Sequence, residues 1–456
     1  MSKWRWTAAA AIALTASGCA TRGPISMQCP IFDSVVTALP PSPLERDIQS
    51  DAADPASALA GRSLKDAAPK PDPLGDVFRL VQSRPKPMET PEKGLPAHTR
   101  PPPIEVLLLS GGGQWGAFGA GFLQQLQASP QAIDPQIITG VSTVGLQSLF
   151  AAVGTAQAYA AMTKEYSPAR QSDLVNANPA LLAAITGSMA GIKPLRRAIE
   201  RALCAGGDPA RGCPMIADLA GTPRQIRIGF VEAKTGQFLI ANVNKMADYA
   251  AAAVTAGTLA RADANRVARD CLTGAALASA GMPLFFQPVR INGKIYYDGG
   301  VRQSVFLASV AEAAAKSMLA PGGHAAAAPT FYVIRNGPTQ LLGKDGKPGG
   351  DVEIDTDYRA ITAALRAQSV IVNQVEIGSI AALRLFHPQG TINLATADGY
   401  PDWTDAAGGK YQCVKGKQRF FNPDFMACLR ALGRAKAARP KPWIAMRALP
   451  AGKPES

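Results

Sequence analysis

Histidine is almost missing from this chain: there are three in 456 residues, His98, His324 and His387. His98 falls in a Pro-rich stretch, His324 in an Ala/Gly-rich one and His387 directly before Pro388, and none has neighbours that mark a general base. A Ser-His-Asp triad therefore lacks a convincing histidine, whereas a serine served directly by a carboxylate needs none. Metal-ligand spacing is missing as well. No Cys-x-x-Cys pair stands beside histidines, so no zinc site is expected, and no cofactor is called for. The net charge of +13 suits anionic lipid headgroups or nucleic acid. The cations are scattered, with no Lys/Arg run interleaved with aromatics, which argues against nucleic acid as a partner. No internal repeat is present.

The N-terminus reads as an export signal. Lys3 and Arg5 supply its charged segment, and residues 7–14 an apolar run too short to span a bilayer. Ala16-Ser17-Gly18-Cys19 then places small residues before a cysteine, as a bacterial lipobox does. Residues 1–18 are expected to be removed, with Cys19 acylated and the chain held on the membrane by that lipid. Ala20 follows rather than aspartate, so the expected address is the outer membrane of a bacterial envelope. The seven cysteines fit export: without Cys19 six remain, an even number that an oxidising compartment can pair. Cys204/Cys213 and Cys413/Cys428 are close enough in sequence to close short loops, which leaves Cys29/Cys271.

Residues 19–103 are rich in Pro, Ala, Ser, Asp and Lys and end in Pro101-Pro102-Pro103. They show no sustained period of 3.6 or 2 and are expected to form a semi-extended tether, of which parts such as 77–81 can pack on the domain. From residue 104 the pattern changes. Strand candidates at 104–109, 136–139, 224–231, 237–241, 294–297 and 330–334 alternate with helical patterns at 117–128, 146–156, 193–203, 271–280 and 305–315. That alternation predicts an α/β domain over 104–445 with a mostly parallel sheet covered on both faces. Its C-terminal part, 351–445, reads as helical. One long helix covers about 355–385, and a second covers 423–437 with Asn422 as N-cap and proline at N1.

Three glycine-framed motifs carry the chemistry. Ser110-Gly111-Gly112-Gly113-Gln114-Trp115-Gly116 follows an apolar run and opens a helix; so does Gly140-Val141-Ser142-Thr143-Val144-Gly145. Each turn sits where a parallel strand hands over to a helix, with backbone N–H groups aimed at whatever occupies the site. Asp298-Gly299-Gly300 closes a short strand. A serine on the second turn, amides on the first and a carboxylate on the third make a nucleophile, an oxyanion hole and a base, the equipment of acyl transfer. Singly each is weak. Gly111-x-Gly113-x-x-Gly116 also matches the dinucleotide fingerprint, but Asp134 precedes the second strand instead of closing it. Gly140-Val141-Ser142 departs from G-x-S-x-G, since Val144 stands two after the serine and Gly145 one later. Asp-Gly-Gly alone is equally a turn signal.

Taken together, Ser-Gly-Gly-Gly-x-x-Gly-Ala-Phe-x-Ala-Gly (110–121), Gly-Val-Ser-Thr (140–143), Ala-Ser-Ala-Gly-Met-Pro-Leu-Phe-Phe-x-Pro-Val (278–289) and Asp-Gly-Gly-Val (298–301) resemble the patatin-like phospholipase family in order and spacing across about 104–310. Glu232 and Thr235-Gly236 also match a strand-turn pattern of that family. The resemblance implies a three-layer α/β/α sandwich and a serine lipid acyl hydrolase, phospholipase or esterase, acting on a lipid or acyl ester. It makes Ser142 the nucleophile, Asp298 the base of a dyad, and Gly111, Gly112 and Gly113 the oxyanion hole. Gly116, Gly140, Gly299 and Gly300 support these turns, and no metal takes part. Two positions depart from the family pattern: Trp115 stands where Arg or Lys is usual, and Val144 where Gly is. These departures raise the alternative of a catalytically weak patatin fold that serves as an envelope binding or scaffold protein.

Overall fold

The computed structural model describes residues 24–41, 103–179, 183, 187–306, 329–341, 360–403, 413 and 421–449. Cys19 with the export signal, segment 77–81, His98, His324 and residues 307–315 and 355–359 of the expected helices lie outside the described residues. The first elements are β1 (Ile25–Met27), α1 (Phe32–Val35), β2 (Val36–Ala38), β3 (Glu105–Leu109), α2 (Gly116–Gln127), β4 (Ile137–Val141), α3 (Gly145–Val153) and α4 (Ala156–Glu165). A small ribbon, β5 (Asn176–Ala177) and β6 (Ala190–Gly191), leads to α5 (Lys193–Leu203) and α6 (Pro214–Gly221). Then come β7 (Gln225–Glu232), β8 (Phe238–Asn242), α7 (Val243–Thr255), α8 (Arg261–Ala280), β9 (Val289–Ile291) and β10 (Lys294–Asp298). The chain closes with β11 (Thr330–Arg335), α9 (Ala360–Phe386), β12 (Ile392–Thr396), α10 (Pro423–Ala437) and β13 (Ile444–Ala445).

The apolar runs form strands because they can be buried on both faces. In β3, Leu107 and Leu109 face a core shared with Phe118 and Phe122 of α2, Leu149 of α3, Leu272 of α8 and Phe425 of α10. Val106 and Leu108 point the other way, to a second core with Ile380 and Leu383 of α9. One sheet between two helical cores is an α/β/α sandwich. The sheet runs β1-β9-β10-β7-β4-β3-β11-β12-β13, with β8 and β2 added on β7. It is mixed, with β7, β4, β3, β11 and β12 parallel at its centre and β10 antiparallel to both neighbours.

Residues 24–41 differ from the expected tether. β1 pairs with β9, β2 pairs with β8, and Phe32 stacks on Phe230 and packs at a tilt against Tyr296. Two strands of three residues each are too short to show a period, so their place in the sheet left no local pattern. The expected helix at 146–156 divides at Gly154, whose φ of 72° ends α3, and Thr155 caps α4 by accepting from Ala158 N–H. Helix α8 begins at Arg261, ten residues ahead of its apolar half. Asn422 caps α10, accepting from the N–H groups of Asp424 and Phe425. The disulfides are Cys204–Cys213, Cys413–Cys428 and Cys29–Cys271, the last tying the N-terminal segment to α8.

Candidate active site

Strand β7 brings two of the motifs together. Along one edge it first pairs in parallel with β4, ending at Val141↔Gly229. The same edge then takes β10 running the opposite way, with Asp298↔Phe230. Two strand ends therefore meet on adjacent residues of β7, and the residue that follows β4 is Ser142. Ser279 of α8 bridges the join: its hydroxyl accepts from Ser142 N–H (2.8 Å) and donates to Gly229 C=O (2.7 Å). Gly299 fits against the carbonyl of Gly229, where a Cβ would lie 2.7 Å away.

Ser142 sits at φ 66°, a left-handed conformation that side chains rarely adopt, as a nucleophile elbow demands. Strain of this kind persists only where the surroundings over-determine it. Here Thr143 donates to Gly113 C=O (3.1 Å), and Tyr166 donates to Thr143 C=O (2.6 Å). Gly140 lets strand and helix approach, since a Cβ there would lie 3.0 Å from Ser148 Oγ and from Val144 C=O. Val144 does not crowd the turn. It is fully buried in the larger core, near Gly116, whose missing side chain leaves room for the ring of Tyr166.

Asp298 is fully buried. Its Oδ1 accepts from Gly300 N–H (2.7 Å), while Oδ2 has no hydrogen-bond partner among the described residues. Burial pushes its carboxyl up to about 7; the Ser142 hydroxyl and the Gly300 N–H pull it back, and the charge of Glu376 adds to the rise. A base titrating there is matched to neutral pH. No hydrogen bond of standard geometry joins Ser142 Oγ to Asp298. Such bonds are often long in a resting site and tighten around bound substrate.

The glycine loop lies against the serine: a Cβ at Gly111 would be 3.5 Å from Ser142 Oγ. Gly112 has φ 155°, and a Cβ there would collide with the carbonyl of Asn336. The N–H groups of Gly112 and Gly113 make no hydrogen bond among the described residues, and neither does that of Thr143, the residue after the nucleophile. All three are candidate oxyanion donors. Gly111 departs from the expectation. Its N–H is already committed to Ser304 Oγ (3.1 Å), so it braces the loop and does not line the hole. Gly116 opens α2 and accepts from Gln147 Nε2.

The brace continues far from the motifs. Ser304 donates to Glu376 Oε1 (2.9 Å), and Glu376 Oε2 pairs with Arg335 at 2.8 Å, all of them buried. Burial raises the Glu376 carboxyl, and Arg335 and Ser304 oppose that rise. Asn336 holds the loop from below, donating to Ser110 Oγ and C=O and accepting from Gly119 N–H. Trp115 packs edge-on between Tyr400 and Phe425, which staples the loop to α10. Sequence reasoning missed Ser304, Arg335, Asn336 and Glu376, and gave Thr143 no role although it lay within the 140–143 motif. Ser279 at least lay within the 278–289 motif. His387, the one histidine among the described residues, packs on Phe331 at the start of β11, the end of the sheet opposite Ser142.

Residues 107–311 match the model of the family described as Patatin-like phospholipase. No curated protein matches the chain. The matched segment contains the serine turn, the glycine loop and the Asp-Gly-Gly turn, set in a sheet covered by helices on both faces, and residues 107–311 form a patatin-like phospholipase domain, of a family of lipid acyl hydrolases.

Proposed function

We propose that the protein hydrolyses a lipid acyl ester through a Ser142–Asp298 dyad. One observation carries this: β4 and β10 end on adjacent residues of β7, which sets a serine at φ 66° beside a buried carboxylate whose pKa is pushed up to about 7. Asp298 accepts the Ser142 proton as Oγ attacks the ester carbonyl. The tetrahedral oxyanion is held by the N–H groups of Gly112, Gly113 and Thr143. Collapse expels the alcohol, which takes the proton back from Asp298. Water then attacks the acyl-serine by the same route and frees the acid. A donor of this kind is worth about 3–4 kcal/mol in hydrolases where it has been removed. The buried fit of Val144 and the aromatic packing of Trp115 weaken the case for a scaffold protein, because neither residue obstructs the serine. Cys19 carries the acyl anchor of an envelope lipoprotein, and the outer membrane supplies the lipid. Short acyl esters and phospholipids offered to wild type and Ser142→Ala test the chemistry. Turnover by wild type alone is expected, and equal rates would refute it.

A further inference from the structure

The N-terminal segment leaves little slack between anchor and body. Pro24 precedes β1, which is pinned to β9 in register (Ile25↔Val289) and tied to α8 by Cys29–Cys271. Five Cα steps from Cys19 to Pro24 span at most about 18 Å, so a lipid on Cys19 would hold this edge of the sheet at the membrane surface. The edge is close to the site. Val289 pairs with Tyr296, two residues before Asp298 on β10, which puts Ile25 about 10 Å across the sheet and about 7 Å along it from Asp298. The loop that leaves α8 beside Asp298 runs the same way. Gly281 C=O accepts from Asp298 N–H, and Leu284 and Phe285 accept from the ribbon that ends at α5.

At that edge lies an open groove of about 390 Å³, lined by Pro24 and Ser26 of the N-terminal segment and by Lys193, Arg196, Arg197 and Glu200 of α5. Glu200 is paired with Arg196 at 2.7 Å, and Arg197 lies beside that pair on the same helix. Arg290 stands exposed in register with Ser26 on the neighbouring strand. Positive charge is thus concentrated where the chain would leave the bilayer. The exposed Leu284 lies on the adjoining loop.

We infer that this groove is a docking surface for anionic phospholipid headgroups, and that it turns the active-site end of the body toward the bilayer. The orientation rests on the reading that Cys19 is acylated; the charge of the groove does not. Each cation near an anionic leaflet contributes about 1 kcal/mol, roughly a fivefold change in binding. The chain from Ala20 onward keeps every described residue and lacks the anchor. It should sediment with phosphatidylglycerol-containing vesicles and not with phosphatidylcholine alone. The double variant Arg197→Gln/Arg290→Gln should bind about thirtyfold more weakly, taking about 1 kcal/mol per cation. The charge-preserving Arg197→Lys/Arg290→Lys should bind as wild type does. Turnover of a soluble short-chain ester, unchanged in both, shows that they fold. Undiminished binding by the glutamine variant, or equal binding to neutral vesicles, would overturn the proposal. Acylation of Cys19 is read separately by mass on the native protein. Its absence would remove the orientation and leave the vesicle result to stand or fall on the groove.

Discussion

The proposed dyad makes the chemistry at Ser142 depend on a carboxylate, Asp298, that is buried and must still ionise. Burial lifts Asp298 to about 7, so the fraction able to accept a proton grows as pH rises through that value. Activity is expected to climb with an apparent pKa near 7 and to level above it, read from kcat/KM on a soluble ester; a flat profile from pH 5 to 9 would contradict the assignment. The same shift has a cost in stability. A carboxyl whose folded pKa lies above its unfolded value near 3.9 contributes stability that is complete below the unfolded value and is lost as pH rises through about 7. Asp298→Asn cannot ionise, so its Tm should exceed wild type by a margin that widens from pH 5 to pH 8, while its activity falls by on the order of 10⁴-fold. Val144 invites an opposite forecast from sequence and from structure. As a misplaced elbow residue it should be relieved by Val144→Gly. As a buried core residue it should be missed: the loss of its side chain and the added backbone freedom should destabilise the fold by about 2–3 kcal/mol in urea unfolding.

At the scale of elements, the site is made by strand ends and held by helices outside its own motifs. Ser304 links the glycine loop to α9 through Glu376. Ser304→Ala would free the Gly111 N–H and loosen the loop, so kcat should fall about tenfold with KM little changed, and Ser304→Thr, which keeps a hydroxyl, should restore most of it. An unchanged kcat in the alanine variant would mean that the loop holds itself. Much of this level was legible in the sequence. The runs 106–109 and 331–334 are hydrophobic at every position because parallel strands are buried on both faces, and the turns between strand and helix announce themselves by glycine. Strands β1 and β2 were not legible, because three residues carry no period. The first half of α8 was not either, because Arg261 to Asp270 is mostly polar and alanine. Nor could Glu376 be found: its partners are 72 and 41 positions away in sequence, and no local pattern marks a brace of that span.

The whole molecule extends past the segment that identifies it. The family match ends at residue 311, but β11 lies between β3 and β12 in the sheet, and α10 packs on α2 at Gly121 and Gly433, where a Cβ would strike the other helix's backbone. A chain ended after residue 311 would expose β3 and the apolar face of α2. It is expected to be insoluble or to lack a cooperative unfolding transition; a soluble, active fragment would show that the C-terminal third is an appendage. The candidate site is set in that larger sheet, and motif reading singled out Ser142 and Asp298 but not the frame around them.

The central claim is that Ser142 is a nucleophile made reactive by Asp298. The most direct measurement is labelling of the intact protein by a fluorophosphonate probe, with the modified residue located by peptide mass. Wild type should take one label, on Ser142; Asp298→Asn should label far more slowly at the same residue, and Ser142→Ala should not label. A label on any other residue, or equal labelling rates in wild type and Asp298→Asn, would contradict the dyad.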